Sequence, residues 1–336
     1  MKETFICVVN DCGEIILEGK AASEPVELSD YFSKLNLKLE MIGFEAGRTS
    51  SWLHQGLQTA GWPVVCMEAR HLNGVLKTQN VKTDRNDARG IAQAVRTGWY
   101  RTVHIKSQES QELRAVLTYR RSIVQTKVNL SNQLRGLLCS FGIKAGKTTE
   151  SEYATRVRAL ISDLASPLLI NLTERILAMR EEVLDELANL DRLLAGLAKS
   201  DPVCRLLMTA PGIGPITAIA YRSTIDDPKQ FRSSRAVGAF LGLTPRRYSS
   251  GEIDRAGHIT KCGDEMVRAL LFEGASTILA RLKKPCALRT WAGRIAKRSS
   301  RKKAVVAVAR KLAVTLHRMW ADGMPFQWHP VKPIAA

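Results

Sequence analysis

Leu39-Glu40-Met41-Ile42-Gly43-Phe44 is an apolar run that ends at Glu45, and Pro63-Val64-Val65-Cys66-Met67 is a second. The segment between them, from about Thr49 to Ala60, has helical spacing. Strand, helix, strand in that order predicts an α/β domain with its sites where strands end. Working back, Phe5-Ile6-Cys7-Val8-Val9, the turn Asn10-Asp11-Cys12-Gly13 and Ile15-Ile16-Leu17 read as a β-hairpin spanning residues 4 to 18. Working forward, Asp84-Arg85-Asn86-Asp87 opens a helix that continues through Ile91, Ala94 and Val95.

Beyond residue 105 the pattern turns helical. From Ser107 to about Phe141, Leu113, Leu117, Val124, Val128, Leu134 and Leu138 recur on roughly one face, and Gly142 to Gly146 break the run. A second helix carries Ile176, Met179, Val183, Leu190, Leu193 and Leu197 in a heptad-like series with Glu186 interrupting the seam. Two readings stay open: a coiled coil joining copies, or an antiparallel helix pair within the chain. The expected organisation is an α/β domain at 1–105, a helical spacer at 106–200, a mainly α domain at 201–322 and a tail at 323–336.

The 336 residues carry 50 Lys+Arg against 32 Asp+Glu, a formal charge of +18, which calls for a polyanionic partner because each phosphate neutralised releases condensed counterions. Membrane spanning is excluded, since the most apolar late stretch, Ala304 to Leu316, is broken by Arg310 and Lys311. The N-terminal apolar run is too short for a signal peptide, so a cytoplasmic, nucleoid-associated protein is expected. Seven scattered cysteines without a Cys-x-x-Cys pair, and six dispersed histidines, argue against a disulfide framework and a zinc site.

Four constellations could carry chemistry. Glu45 at a strand end with Asp84 and Asp87, three apart on one helical face, supplies the hard oxygens that Mg²⁺ favours; alternatively Asp84 or Thr83 caps the helix and Asp87 complements its dipole. Pro211-Gly212-Ile213-Gly214 enters a helix at Thr217-Ala218, where free N–H groups of Gly212 and Gly214 could meet a phosphate as in a helix-hairpin-helix, or form a plain turn. The loop Thr244-Pro245-Arg246-Arg247-Tyr248-Ser249-Ser250-Gly251 sets a serine beside a glycine among Arg246, Arg247 and Lys261, either as a nucleophile with cations for developing charge or as an ordinary turn. Finally, twelve cations and no acid lie between Arg281 and Leu312, with Arg298, Arg301, Lys302 and Lys303 at the centre and few aromatics, a composition suited to phosphate contact rather than base stacking.

With these residues in view, the sequence resembles the insertion-sequence 110 family of transposases, bridge-RNA-guided serine recombinases, over nearly its whole length. The N-terminal part is similar to the family's four-acid, RuvC-like (RNase H-like) domain through Gly43-Phe44-Glu45-Ala46-Gly47 and Lys82-Thr83-Asp84-Arg85-Asn86-Asp87-Ala88. The C-terminal part resembles its transposase domain through Leu206 to Ala218, Gly242-Leu243-Thr244-Pro245-Arg246, Tyr248-Ser249-Ser250-Gly251, and Gly257 to Gly263 with Arg268-Ala269-Leu270.

The resemblance implies that Glu45, Asp84 and Asp87 are the second, third and fourth acids of a Mg²⁺ or Mn²⁺ site, and that Ser250 rather than Ser249 is the nucleophile. It implies double-stranded DNA and a structured guide RNA as partners, and a dimer or tetramer assembled through the spacer. The family's first acid lies on a strand just before Met1-Lys2-Glu3-Thr4-Phe5 and has no counterpart here, Asp11 being in the hairpin turn. The expectation is a start codon assigned downstream of the true one, or else a copy that has lost its first strand. Two other functions compete: a RuvC-like nuclease using water instead of Ser250, and an architectural nucleic-acid-binding protein with no catalysis.

Overall fold

The computed structural model describes residues 3–76, 83–162, 166–251 and 253–328. Lys82 of the second acid motif and residues 329–336 of the tail lie outside the described residues. The chain divides into two units, Met1–Ser107 and Gln108–Ala336.

In the first unit, β1 (Glu3–Val9) and β2 (Ile15–Ala22) pair antiparallel with Glu18 opposite Cys7. Asn10 makes the turn: its carbonyl accepts from Gly13 N at 2.9 Å and its amide donates to Glu14 O at 3.0 Å. After α1 (Pro25–Lys34) come β3 (Ile42–Glu45), α2 (Ser50–Thr59) and β4 (Val64–Met67), and β3 and β4 are parallel, as a strand–helix–strand crossover requires. The strand expected from Leu39 begins only at Ile42. Pro63 explains this, because it lacks an N–H and can offer only its carbonyl, which takes Ile42 N at 2.8 Å as the ladder's first bond. Leu28, Phe32 and Leu57 form the core between α1 and α2, with the Trp62 ring edge-on to Phe32. Next are α3 (Ala69–Leu76) and α4 (Asp84–Thr97). α4 lies against β1 and β3 so closely that a Cβ on Gly43 would collide with Val95.

The second unit opens with α5 (Gln108–Ser140), α6 (Tyr153–Ile161) and α7 (Pro167–Ser200). α5 and α7 run antiparallel: Arg120 pairs with Asp191, and Ser131, further along α5, meets Arg180, further back on α7. Leu134, Leu138, Val157 and Leu177 are fully buried between these helices. The heptad series is divided. Ile176 and Leu190 are buried, whereas Met179 and Leu193 are 55% and 49% exposed, and Val128 of the α5 stripe is exposed as well. An antiparallel partner inside the chain therefore takes part of the seam and leaves part of it open.

Helices α8 (Pro202–Leu207), α9 (Pro215–Ile225), α10 (Ser234–Phe240), α11 (Glu265–Arg281), α12 (Ala287–Arg298) and α13 (Arg301–Asp322) build the rest of this unit. Its core gathers α9, α11 and α13, where fully buried Tyr221 donates its hydroxyl to Ala313 O at 2.6 Å. The expected loop at 244–251 is instead a strand. β5 (Pro245–Ser250) pairs antiparallel with β6 (Ile253–Ile259), and Arg247 bridges the two strands to Asp254, a cross-strand ion pair that favours the ladder over a free loop. Among the described residues no helix is long and apolar enough to cross a membrane.

Candidate active site

Glu45 is the last residue of β3, opposite Met67 in the parallel register. The Ser50 hydroxyl donates to Glu45 O at 3.3 Å and accepts from Gly47 N, which fixes the chain as it leaves the strand. Asn73 Nδ2, tethered to Ala69 O, donates to Glu45 Oε1 at 3.2 Å and so holds the carboxylate from α3.

Asp84 and Asp87 occupy the first turn of α4, and the open question of its cap has an answer. Thr83, in extended conformation, accepts from Asn86 N through its hydroxyl at 3.2 Å, and its carbonyl takes Asp87 N at 2.9 Å. Neither carboxylate is used as the cap, and both stand at the positive end of the helix. Arg85 and Arg89, four apart and so on one face of α4, clamp that helix to β2. Arg89 Nε donates to Glu18 Oε1 at 2.6 Å and Nη2 to Oε2 at 2.9 Å, while Arg85 Nε reaches Oε2 at 3.0 Å. Hydrogen bonds from Arg89 and then Arg85 hold the Glu18 carboxyl down at about 2. Sequence reasoning missed Glu18; the signal available was the Arg85/Arg89 spacing, which demands an acceptor.

The donor chemistry of Glu45, Asp84 and Asp87 fits a hard divalent cation, since all three offer carboxylate oxygens. Their placement is looser than the sequence suggested. Among the described residues no three His, Cys, Asp or Glu side chains converge on a point that could hold an ion. Val95, not the acid turn, is what packs against the middle of β3, and Asp87 lies eight residues earlier, about 12 Å along the helix.

In the second unit Ser250 closes the β5–β6 hairpin opposite Ile253, followed by Gly251 with φ +55°. Tyr248, Ser249 and Ser250 are all exposed, as is Arg246. Arg247 differs: its Nε and Nη2 bind both oxygens of Asp254 at 2.8 and 2.6 Å, which raises the guanidinium and lowers the carboxyl of Asp254. Its role is thus to stiffen the hairpin. Lys261, beyond the foot of β6, adopts φ +55°, and its amide donates to Gly242 O at 3.1 Å.

The two turn glycines also part company. Gly212, at φ +75°, sits against α11 so tightly that a Cβ would stand 2.5 Å from Gly274 O, so packing alone requires a glycine there. Gly214 has open space around it and is the N-cap of α9. Arg298 ends α12, and exposed Arg301, Lys302 and Lys303 form the first turn of α13, which Ser300 caps by accepting from Lys303 N at 3.3 Å. Three cations at the positive end of a helix oppose its dipole, an arrangement that an anionic partner would relieve.

Two family models match. Residues 2–142 fit a transposase domain of the DEDD type, and residues 204–292 fit the transposase family IS116/IS110/IS902. Both matches are to transposases, and together they span most of the chain. Among curated relatives, the chain is 29% identical over 323 residues to the transposase for insertion sequence element IS1111A of Coxiella burnetii, covering 93% of this chain and 85% of that one. It is 28% identical to the "Probable family 20 transposase" of Pseudomonas aeruginosa, covering 88% and 86%, and 29% identical to the transposase for IS1328 of Yersinia enterocolitica, covering 72% of each. The fold and these matches define a transposase with a DEDD domain joined to a mainly helical one. Both parts of the chain are thus similar to insertion-sequence transposases, the second of them to the IS116/IS110/IS902 family.

Proposed function

We propose that this insertion-sequence transposase breaks and rejoins DNA through Ser250, that Glu45, Asp84 and Asp87 hold a divalent cation, Mg²⁺ or Mn²⁺, and that a structured RNA guides it. The observation that carries the reading is Ser250 itself, an exposed hydroxyl at the closed end of a hairpin stiffened by Arg247–Asp254, with exposed Arg246 on the same strand. In this proposal the Ser250 Oγ attacks a phosphodiester: an Oγ–P bond forms, the P–O bond to one sugar oxygen breaks, and the serine proton ends on that released sugar hydroxyl. A hydroxyl from a second strand then displaces Ser250. Arg246 lies on the same strand as Ser250 and is its candidate for stabilising charge on the non-bridging oxygens, whereas Lys261, beyond the foot of β6, stands at the opposite end of the hairpin.

The carboxylates fit the same reaction class. A divalent ion bound by them would supply Lewis-acid polarisation of a phosphoryl oxygen. The DEDD-type match contains all three acids, and each is carried on an element fixed by neighbours, Glu45 by Asn73 and Ser50, Asp84 and Asp87 by the Thr83 cap and the Glu18 clamp. The +18 charge, the basic first turn of α13 and the Gly214 entry to α9, which we read as helix-hairpin-helix-like, support contact with DNA and RNA phosphates. Exposed Met179 and Leu193 on α7 support self-association as a dimer or tetramer.

A DEDD domain alone, the part matched over residues 2–142, could instead serve a nuclease that cuts with water and has no need of Ser250, which lies in the match over residues 204–292. Ser250→Ala separates them. The recombinase loses cleavage and rejoining together, while a nuclease continues to cut; Glu45→Gln or Asp87→Asn abolishes both activities and leaves a purely architectural binder untouched.

A further inference from the structure

Helices α5 and α7 and the segment leading into α6 enclose a cavity of about 180 Å³, apart from the serine hairpin and outside the unit that carries the acids. Lys127 and Arg135 of α5, Arg180 of α7, and Thr148, Thr149 and Glu150 line it. Arg180 is 4% exposed, and its Nε donates to Ser131 Oγ at 2.9 Å while its guanidinium lies 4.3 Å from the Tyr153 ring centroid. Arg135 stands over the same ring at 5.6 Å. Glu150 answers two of the three cations, receiving Arg180 Nη2 on one oxygen and Lys127 Nζ at 3.1 Å on the other. The Thr148 hydroxyl is buried without a hydrogen-bond partner.

A staple between helices needs one cation and one anion. Here three cations line the cavity with a single carboxylate that pairs with two of them, and a buried guanidinium is costly unless its charge is fully answered. Burial, and after it the like charge of Arg135, pulls Arg180 below the ordinary guanidinium value, with Glu181 opposing them. Glu150 is half exposed. At about 30 Å³ per water, the cavity has room for roughly six waters, enough for one phosphate with part of a sugar. A tetrahedral oxyanion would accept from several of these donors at once, the orphaned Thr148 hydroxyl included.

We propose that this cavity is a phosphate-binding site, in which Arg180, Arg135, Lys127 and Thr148 grip a single phosphate group and Glu150 is the internal anion it displaces. The site depends on neither the acids nor Ser250. The phosphate could be free or belong to a nucleic-acid strand, and the test distinguishes these sources.

The full-length protein is titrated with inorganic phosphate by calorimetry, alongside Glu150→Gln and the surface variant Arg135→Gln, with circular dichroism to confirm that each is folded. Removing the competing carboxylate is expected to tighten phosphate binding at least about threefold, and removing Arg135 to weaken it about five- to tenfold, the size of one charge-assisted hydrogen bond. Competition then identifies the source. A trinucleotide that displaces phosphate from wild type but not measurably from Arg135→Gln supports a strand phosphate; inert trinucleotide with intact phosphate binding supports the free anion. Phosphate affinity unchanged by both substitutions overturns the proposal.

Discussion

Arg89 of α4 grips Glu18 of β2 at two points, Nε to Oε1 at 2.6 Å and Nη2 to Oε2 at 2.9 Å. This pairing ties the helix that carries Asp84 and Asp87 to the hairpin, and it gives the first unit a defined response to acid. The Glu18 carboxyl is held at about 2, below its usual value of about 4.3, so the clamp's stabilisation is fully present above the latter and is lost as pH falls towards 2. Thermal midpoints of wild type and Glu18→Gln should therefore differ at pH 6 and converge between about pH 4.3 and 2. A constant gap across that window would contradict the assignment.

The two glycines of the Pro211–Gly214 turn should separate packing from DNA binding. Gly212→Ala forces φ +75° on a residue with a Cβ and presses that atom on Gly274 O, which should cost at least about 2 kcal/mol in denaturant unfolding. Gly214→Ala meets open space and should cost no more than about 1 kcal/mol, the difference between glycine and alanine at an N-cap. Any loss of DNA binding in Gly214→Ala thus reports on the turn's approach to phosphate and not on its folding.

For the acids, the cap geometry makes clean variants possible. Because Thr83 caps α4, Asp84→Asn and Asp87→Asn should lose only the favourable dipole interaction, about 0.3–1 kcal/mol each, and keep the helix. Strand cleavage should nevertheless fall by at least about a hundredfold if these groups hold the cation, a loss of about 2.7 kcal/mol of transition-state stabilisation. Thr83→Ala makes the control: about 1 kcal/mol less stable, with cleavage retained once folded.

At the start of α13, replacing Arg301, Lys302 and Lys303 by Gln should leave stability equal or slightly higher, since three charges that oppose the helix dipole are removed. DNA affinity should fall, and the slope of log affinity against log salt should shrink by about 0.9 for each phosphate that is no longer neutralised. Filter binding from about 50 to about 200 mM salt, where the counterion effect is steep, reads both. An unchanged slope would place the DNA elsewhere.

What the sequence conveyed followed the range of its interactions. The hairpin, the strand–helix–strand crossover and the long helices were legible because each rests on local periodicity, as in Ile42–Glu45 or Leu134 and Leu138 of α5. The strand at Pro245–Ser250 was not, because its residues are all exposed and what defines it is a partner strand carrying Asp254. Nor was the Glu18 clamp, which joins residues 71 apart; the spacing of Arg85 and Arg89 asks for an acceptor without saying which. The three acids belong to two local motifs, yet nothing local says that Glu45 is tethered to Asn73 of a later helix. The division of Gly212 from Gly214 depends on α11, far along the chain.

The most direct test of the serine reaction is to incubate the full-length protein with DNA from its element's ends, the element's RNA and Mg²⁺, then denature, digest and map any nucleotide left on a peptide. A phosphodiester-derived adduct on Ser250, absent from Ser250→Ala, is the predicted result. DNA cut in Mg²⁺ with no protein attached, and cut equally by Ser250→Ala, would contradict the account.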